Sequence, residues 1–551
     1  MGHCDFGLES RSARCGSAAA ISSGGPSRYG ACQPRAVSKG KQAAIKRALG
    51  RFGVRDLRPG QREAIDNVLA GRDTLAVMPS GSGKSLCYQV PALCLRGVTV
   101  VVSPLISLMK DQADKAQAHG VAAAPVNSAL GKREEAEVLE AIEARAARIV
   151  YTTPERLASG EFRRLLGRQK IALAVVDEAH CISQWGHDFR PAFLEIAPAL
   201  RALGNPPVLA LTATATGDVI DDIRRHLERP AMRLVNTGVY RPNLRYGVRQ
   251  VTNAAEHDAA LLDCVRRSSG SGIVYCATVK AANAVHAFLA GAGEEVLLYH
   301  GRLGAKERSQ RQEAFMHDEA RLMVATNAFG MGIDKPDIRF IVHYQVPGSI
   351  EAYYQESGRG GRDGQEADCT LLYDHADRRV QSFLTGGHVL SAAELRAIRA
   401  GERLALPAGV IRAAKAMLRE AHASDEDAFQ RLADAYQVKA EADRRKLERM
   451  TAYAQTAKCR WNAILDYFGE MPKWEQCGHC DNCLRVPQPT SAARPLEIGP
   501  TAGPGLQPGD PVELPRFGEG RVREATTERV QVDFPDGSTR HFLAEYVRPL
   551  R

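Results

Sequence analysis

Residues 74–93 read TLAVMPSGSGKSLCYQVPAL: an apolar run, a stretch of small and polar residues ending in Lys84 and Ser85, then an apolar stretch of helical length. An apolar run of four to eight residues bounded by turn signals marks a buried strand, and Pro79, Gly81 and Gly83 are the breakers that end it. A strand that runs through a glycine-rich turn into a helix leaves the unpaired N–H groups of the turn and of the helix start aimed at one spot. Lys84 adds a cation there, so Ser80, Gly81, Ser82, Gly83, Lys84 and Ser85 form a cradle for phosphate, with the Ser85 hydroxyl able to ligate Mg²⁺. Met78 stands where the plain G-x-x-x-x-G-K-[ST] pattern has its first glycine. A bare Gly/Ser loop ahead of a helix is the plain alternative; the coincidence of strand, loop, Lys-Ser and helix speaks against it.

Outward from this stretch, further apolar runs follow the same rhythm: VTVVVS (98–103), ARIVYT (147–152), IALAVVD (171–177) and PVLALTAT (207–214), separated by helix-length polar segments. These predict buried parallel strands with crossover helices from 41 to 236. A second set lies in 237–376, with GIVYCAT (272–278), EVLLYHG (295–301), RLMVATN (321–327), FIVHYQVP (340–347) and CTLLYD (369–374). The expected fold class is therefore α/β, two doubly wound parallel-sheet domains in tandem. Residues 377–487 are rich in Ala, Leu, Arg and Glu with almost no strand signal and predict helices leading into a cysteine cluster. Residues 1–40, with Ser, Gly and Ala dominant and no hydrophobic period, predict a disordered tail. Residues 488–506 are Pro/Gly/Ala-rich and predict a linker. Residues 507–551 alternate around Pro535, Asp536 and Gly537, the pattern of a small β-barrel.

Composition bounds the function. At 551 residues the chain is several times the length of one domain, and 44% hydrophobic with 25% charged residues is ordinary for globular proteins. No run approaches the ~18 apolar residues that would cross a bilayer, so no membrane role is expected. A net charge of +9 permits a phosphate-backbone partner without demonstrating one. Thirteen cysteines, an odd number, with no apolar secretory segment at the start, fit a reducing, cytoplasmic compartment.

Three further groups carry chemistry. Asp177 and Glu178 end the run IALAVV; a carboxylate at a strand end can hold Mg²⁺ and its neighbour can polarise an attacking water. Acids at a helix start are otherwise plain capping. The glycine-rich segment QESGRGGRDG (355–364) offers Arg359 and Arg362 as cations able to reach a phosphate across a cleft, against the plain alternative of a solvated turn. Cys459, Cys477, Cys480 and Cys483, spaced C-x17-C-x2-C-x2-C, suit a closed tetrahedral zinc site. An iron–sulfur cluster, free thiols, or His479 as a competing ligand are the alternatives.

The strings FGVRDLRPGQREAI, MPSGSGKSLCYQ, VVSPLISLMKDQ, YTTPERL, DEAHCISQWGHDFRP, LALTATAT, VYCATVK, YHGRLGAKER, VATNAFGMGIDKPDIRFIVHY and QESGRGGRDG occur in one order from about 50 to 365, ahead of the cysteine cluster. In this set the chain resembles the RecQ family of superfamily-two ATP-dependent DNA helicases. The resemblance implies two RecA-like domains followed by a helical zinc-binding domain, zinc as the metal of the cysteines, and ATP and Mg²⁺ at Lys84. It implies that Arg58 and Gln61 read adenine, and Val54 stands where many relatives stack an aromatic on that base. Trp185, Phe189 and Arg190 match an aromatic-rich loop that couples single-stranded DNA to hydrolysis; a base can stack on any aromatic face, and a core tryptophan is the plain alternative for Trp185. Thr212 and Thr214 resemble the motif linking nucleotide state to lobe closure.

The expected activity is that of an ATP-dependent DNA helicase moving 3′ to 5′ on single-stranded DNA and unwinding duplex or branched DNA in repair, recombination or replication, in a cytoplasmic, nucleoid-associated setting. About twenty residues separate Cys483 from the β-barrel, too few for the winged helix of many relatives. That shortfall keeps a second reading open, a DNA-stimulated ATPase translocase that remodels protein–DNA complexes without separating strands. The final segment resembles the Tudor-like module ending UvrD-type helicases, and its mixed charges favour a protein partner over DNA. Residues 387–450 look longer than the usual family connection.

Overall fold

The computed structural model describes residues 39–127, 130–183, 190–330, 333–377, 381, 390–402, scattered positions from 404 to 418, 426–472, 474–485, and 506–514, 518–526, 529–535, 539–543 and 547–549 of the C-terminal module. Residues 1–38 of the expected tail, most of the linker and the turn residues Asp536 and Gly537 lie outside them; residues 39 and 40, counted with the tail, begin the helix Lys39–Arg51. Residues 1–484 and 485–551 form two separate compact units.

The first lobe is a seven-stranded sheet built from β1 (Thr74–Val77), β2 (Val98–Val102), β3 (Ala123–Val126), β4 (Ile149–Thr152), β5 (Ile171–Val176), β6 (Val208–Thr212) and β7 (Arg233–Asn236). Its spatial order is β3-β4-β2-β5-β6-β1-β7, every neighbouring pair parallel. Five of these strands coincide with the apolar runs read from the sequence. β3 and β7 were missed because both are edge strands: β3 is AAPV, broken by Pro125, and β7 buries only Val235 of its four residues. Val100, Val150, Val176 and Ala210 pack one face of the sheet, and Val101, Ile149, Val175 and Leu209 the other.

The second lobe repeats the architecture with β8 (Leu244–Gln250), β9 (Ser271–Tyr275), β10 (Val296–Tyr299), β11 (Leu322–Ala325), β12 (Ile338–His343) and β13 (Ala367–Tyr373) in the order β10-β11-β9-β12-β13-β8, again all parallel. β8 was not anticipated; it is an edge strand in which Arg245, Arg249 and Gln250 face solvent and interrupt the apolar signal.

The helical region covers that edge. A 30-residue helix, Glu426–Gln455, precedes the helix Arg460–Tyr467, and Trp461 at its start is fully buried against Tyr240 and Tyr246. An edge strand presents unpaired N–H and C=O groups. Here Trp461 Nε1 donates to Leu244 O at 3.0 Å and Val248 N donates to Asp481 Oδ2 at 3.1 Å, so side chains of the cysteine-bearing segment satisfy β8. Tyr453, Met450 and Trp461 share one core with Tyr246, Tyr353 and Tyr354 of the second lobe.

The C-terminal module is a five-stranded antiparallel sheet of β14 (Pro511–Leu514), β15 (Gly518–Ala525), β16 (Arg529–Asp533), β17 (Thr539–Leu543) and β18 (Arg548–Pro549), ordered β17-β16-β15-β14-β18. Val512, Val522, Val530, Val532 and Phe534 form its own core.

Candidate active site

The phosphate turn, Asp177-Glu178 and Thr212 sit at the carboxyl ends of β1, β5 and β6, the edge of a doubly wound sheet where ligands bind. Gly81 and Gly83 hold φ of +77° and +78°, which only glycine adopts freely; they fold the turn over the start of the helix Leu86–Cys94. Lys84 Nζ donates to the carbonyls of Met78 at 3.2 Å and Pro79 at 3.4 Å. Burial pulls the Lys84 ammonium below its ordinary pKa against the charges of Glu178 and Asp177, and Arg362 adds to the fall.

Asp177 Oδ1 accepts from Glu178 N at 3.0 Å. Burial first, and the neighbouring Glu178 charge second, push the Asp177 carboxyl up to about 7, with Lys84 opposing. Glu178 adopts φ +49°, an unusual value for a residue with a side chain. Its Oε2 is buried 3.4 Å from His180 Nδ1 and, like Ser82 Oγ, makes no hydrogen bond among the described residues. His180 Nδ1 lies 3.0 Å from Thr212 Oγ1, which donates to Thr214 O at 2.9 Å and accepts from Thr214 N at 3.2 Å. A chain of polar contacts therefore runs from the carboxylate pair to the end of β6. Two half-buried carboxylates beside one lysine, with spare acceptor capacity, fit a divalent cation, and the orphaned Ser82 hydroxyl fits a phosphate oxygen.

Gln61 is 1% exposed. Its amide donates to Ser82 O at 2.8 Å and Gly83 O at 3.0 Å, and its carbonyl accepts from Arg58 N at 2.8 Å. The Arg58 guanidinium bonds Gly81 O. Both residues thus brace the phosphate turn, and reading a base edge would require Gln61 to exchange one of these bonds.

From the second lobe, the segment after helix Ile350–Ser357 reaches the turn. A Cβ built on Gly81 would stand 3.0 Å from Arg362 Cγ, and one on Gly358 3.5 Å from Ser80 Cβ. The two arginines part company here. Arg362 lies against the phosphate turn and donates to Asp334 Oδ1 at 2.9 Å; burial, with Arg359 next, lowers its pKa to about 10. Arg359 is 3% exposed and lies inside the second lobe beside Tyr275 and under Gly330.

Trp185 and Phe189 lie outside the described residues. On one side of them, Ser183 Oγ donates to Asp222 Oδ2 at 2.7 Å; on the other, Arg190 Nη1 donates to Pro104 O at 2.9 Å. In the cysteine cluster the sulfurs of Cys459, Cys477, Cys480 and Cys483 all lie within 4.8 Å of one another, with Cys477–Cys483 at 3.9 Å and Cys459–Cys480 at 4.0 Å. A tetrahedral zinc with ~2.3 Å bonds separates its sulfurs by about 3.8 Å, so the four thiols fit that ion. Cys459 caps the helix Arg460–Tyr467, and Arg460 N donates to Cys480 Sγ at 3.4 Å. His479 is outside the set; its Nδ1 lies 2.8 Å from Cys477 O.

A DEAD/DEAH box helicase model matches residues 58–223, a helicase conserved C-terminal domain model 256–364 and a RecQ zinc-binding model 414–484. The probable ATP-dependent DNA helicase RecS of Bacillus subtilis is 36% identical over 449 residues, covering 78% of this chain and 90% of RecS. The chain belongs to the RecQ family. The ATP-dependent DNA helicase RecQ of the same organism is 40% identical over 435 residues, covering 78% of this chain. The chain spans 65% of that RecQ protein's length, just under two thirds. Among solved structures, Mss116p bound to single-stranded RNA and AMP-PNP shares the fold, with a TM-score of 0.53 and 18% identity over 78% of this chain and 89% of that one. The zinc-binding match of this RecQ-family chain begins at 414, inside the segment read as longer than usual.

Sequence reasoning missed Lys115, Asp334, Arg241 and Asn243. Asp334 stands within the quoted string VATNAFGMGIDKPDIRFIVHY, but nothing in its spacing pairs it with Arg362. Lys115 and Arg241 carry no local signal, since their partners lie 219 and 117 to 120 residues away.

Proposed function

We propose that this chain is an ATP-dependent DNA helicase that moves 3′ to 5′ on single-stranded DNA and unwinds duplex or branched DNA in repair, recombination or replication. The observation that carries the reading is the approach of Arg362 to Gly81: one lobe brings Lys84, Asp177 and Glu178, and the other brings a cation to the same phosphate turn. In this reading Lys84 and the backbone of Ser80–Ser85 hold the phosphates, Ser85 and Asp177 hold Mg²⁺, and Glu178 orients the attacking water. Arg362 reaches the transferred phosphoryl group, and Arg359 stiffens the lobe behind it. Mg²⁺ supplies charge neutralisation at the β- and γ-phosphates. Arg58 and Gln61 read the base, Trp185, Phe189 and Arg190 couple bound single-stranded DNA to hydrolysis, and Thr212 and Thr214 link nucleotide state to lobe closure. Cys459, Cys477, Cys480 and Cys483 hold a structural Zn²⁺.

In this reading the functional division is an ATP-binding lobe over 41–236, a second lobe over 237–376, a helical zinc-binding domain over 377–487 and a small barrel over 507–551. The barrel takes a protein partner, and the chain works in the cytoplasm at the nucleoid. No helix among the described residues is long and apolar enough to cross a membrane.

Strand displacement on 3′-tailed and 5′-tailed duplexes, with ATP hydrolysis followed in parallel, tests the activity. Displacement confined to 3′-tailed duplexes is expected; displacement from 5′ tails overturns the direction. DNA-stimulated hydrolysis without displacement selects the second reading, a translocase that remodels protein–DNA complexes, which the short spacing after Cys483 favours. Truncation after residue 500 should leave ATPase and DNA affinity within a fewfold. A large loss of DNA affinity at fixed salt would make the barrel a DNA-binding element instead.

A further inference from the structure

The connector between the lobes, residues 237–243, carries a side chain that no motif announces. Arg241 is 8% exposed. It donates from Nη1 to Gly358 O at 2.6 Å and from Nη2 to Gly360 O and Gly361 O, both at 2.7 Å. Asn243 Nδ2 adds bonds to Gly361 O and Gln365 O, both at 2.8 Å. These carbonyls belong to the turn that bears Arg359 and Arg362. Backbone bonds from Gly358 N to Tyr354 O at 2.8 Å and from Gly360 N to Ser357 O at 3.1 Å begin the turn, but glycine at 358, 360 and 361 restricts the backbone least. Bonds from outside complete it: Gly361 has φ +53°, and a Cβ there would meet Asn243 Nδ2 at 2.5 Å. Each carbonyl fixed on the connector side fixes the direction in which the neighbouring side chain leaves.

The same connector is tied to the other half of the site. Thr237 N donates to Val77 O at 3.1 Å, in the strand that enters the phosphate turn, and Val239 O accepts from Tyr354 Oη at 2.6 Å, on the helix leading into the arginine turn. Seven residues thus span from the strand beneath Lys84 to the carbonyls beneath Arg362.

We propose that Arg241 is a positioning residue for ATP hydrolysis, a strut that holds the Gly358–Gly361 turn in register with the phosphate turn so that Arg362 meets the transferred phosphoryl group. The proposal rests on the ATPase reading above. A planar five-donor fork can serve three carbonyls at once, which a lysine ammonium on its flexible stem does not reproduce. Lysine therefore keeps the charge and loses the geometry.

The test measures DNA-stimulated hydrolysis and binding of a fluorescent ATP analogue by the full chain, its Arg241→Lys and Arg241→Ala variants and Asn243→Ala, alongside thermal unfolding. Arg241→Lys should lower kcat by about tenfold or more while KM and analogue affinity stay within about threefold, the mark of a group felt only in the transition state. A kcat within twofold of the parent, or an equal loss of nucleotide binding, overturns the proposal. If neither Arg241 variant folds, Asn243→Ala decides, since it removes two of the five bonds that Arg241 and Asn243 make to the segment 358–365; a parental kcat then overturns it. A parent that hydrolyses no ATP overturns the ATPase reading itself, whereas an active parent with an active Arg241→Lys variant removes only this inference.

Discussion

Lys115, on helix Ile106–Ala118 of the first lobe, and Asp334 of the second lobe form an ion pair across the cleft at 2.5 Å, and the other oxygen of Asp334 takes Arg362 Nη1 at 2.9 Å. Burial pushes the Asp334 carboxyl up, but its bonds to Lys115 and Arg362 win and hold it below the ordinary range. Arg362 is therefore held at the edge of the phosphate turn by a carboxylate that a nucleotide phosphate would have to outbid.

Arg362→Ala should retain ATP binding and lose hydrolysis by about a thousandfold, as expected of a cation that acts on the transition state. Lys115→Ala should change hydrolysis by less than about fivefold, because the pair is half exposed and such pairs are worth at most ~1 kcal/mol. Steady-state ATPase assays decide both, and similar losses in the two variants would mean that lobe closure, not Arg362, carries the effect.

Lys84→Ala should abolish hydrolysis, since it removes the phosphate turn's side-chain cation. Glu178→Gln should bind ATP and turn it over at least a hundredfold more slowly. Near-parental turnover by the Gln variant, measured in single-turnover experiments, would take the water-orienting role from Glu178.

Metal analysis should find about one zinc per chain and no visible chromophore. Stripping it with a chelator should expose the segment 456–485 to protease and loosen Trp461 from Tyr240 and Tyr246, because binding energy at a closed thiolate site is folding energy. Iron with sulfide in the purified protein would replace zinc in this account.

Asp377 accepts from Val346 N at 3.2 Å and Gln345 Nε2 at 3.4 Å, and burial raises its carboxyl to about 6 against those bonds. Its folded pKa lies above the ordinary value of 3.8, so the native state holds the proton more tightly than the unfolded chain does. Stability from this group therefore falls as pH rises from about 4 through about 6, and is constant above. At ~1.4 kcal/mol per pKa unit the cost at pH 7 is at most about 3 kcal/mol. Asp377→Asn should raise the thermal midpoint at pH 7.5 by about 1–4 °C and narrow the gap between pH 5 and pH 7.5. A midpoint lowered equally at both values would mean the hydrogen bonds outweigh the buried charge.

The sequence was most legible where local chemistry and local structure coincide. Central strands such as β5 are continuous apolar runs because both faces are covered, whereas β3, β7 and β8 carry a proline or exposed polar residues because an edge does not demand burial. The phosphate turn could be read for the same reason: strand, glycines, Lys84, Ser85 and helix are contiguous, and the backbone geometry they need is local.

By itself the sequence determined two doubly wound sheets, the phosphate cradle at Lys84, the carboxylate pair Asp177-Glu178 and a four-cysteine cluster, since each depends on periodicity or on spacing within a few tens of residues. Tertiary structure alone decided which arginine faces the cradle. Arg359 and Arg362 are three residues apart in one glycine-rich segment with the same chemistry, and only the packing of the second lobe sends one inward beneath Gly330 and the other against Gly81. It also decided that Arg241, Asn243, Lys115 and Asp334 belong to the same neighbourhood. Their partners are carbonyls and charges from distant segments, and a hydrogen bond between such groups exists only once the sheets have brought the chain together.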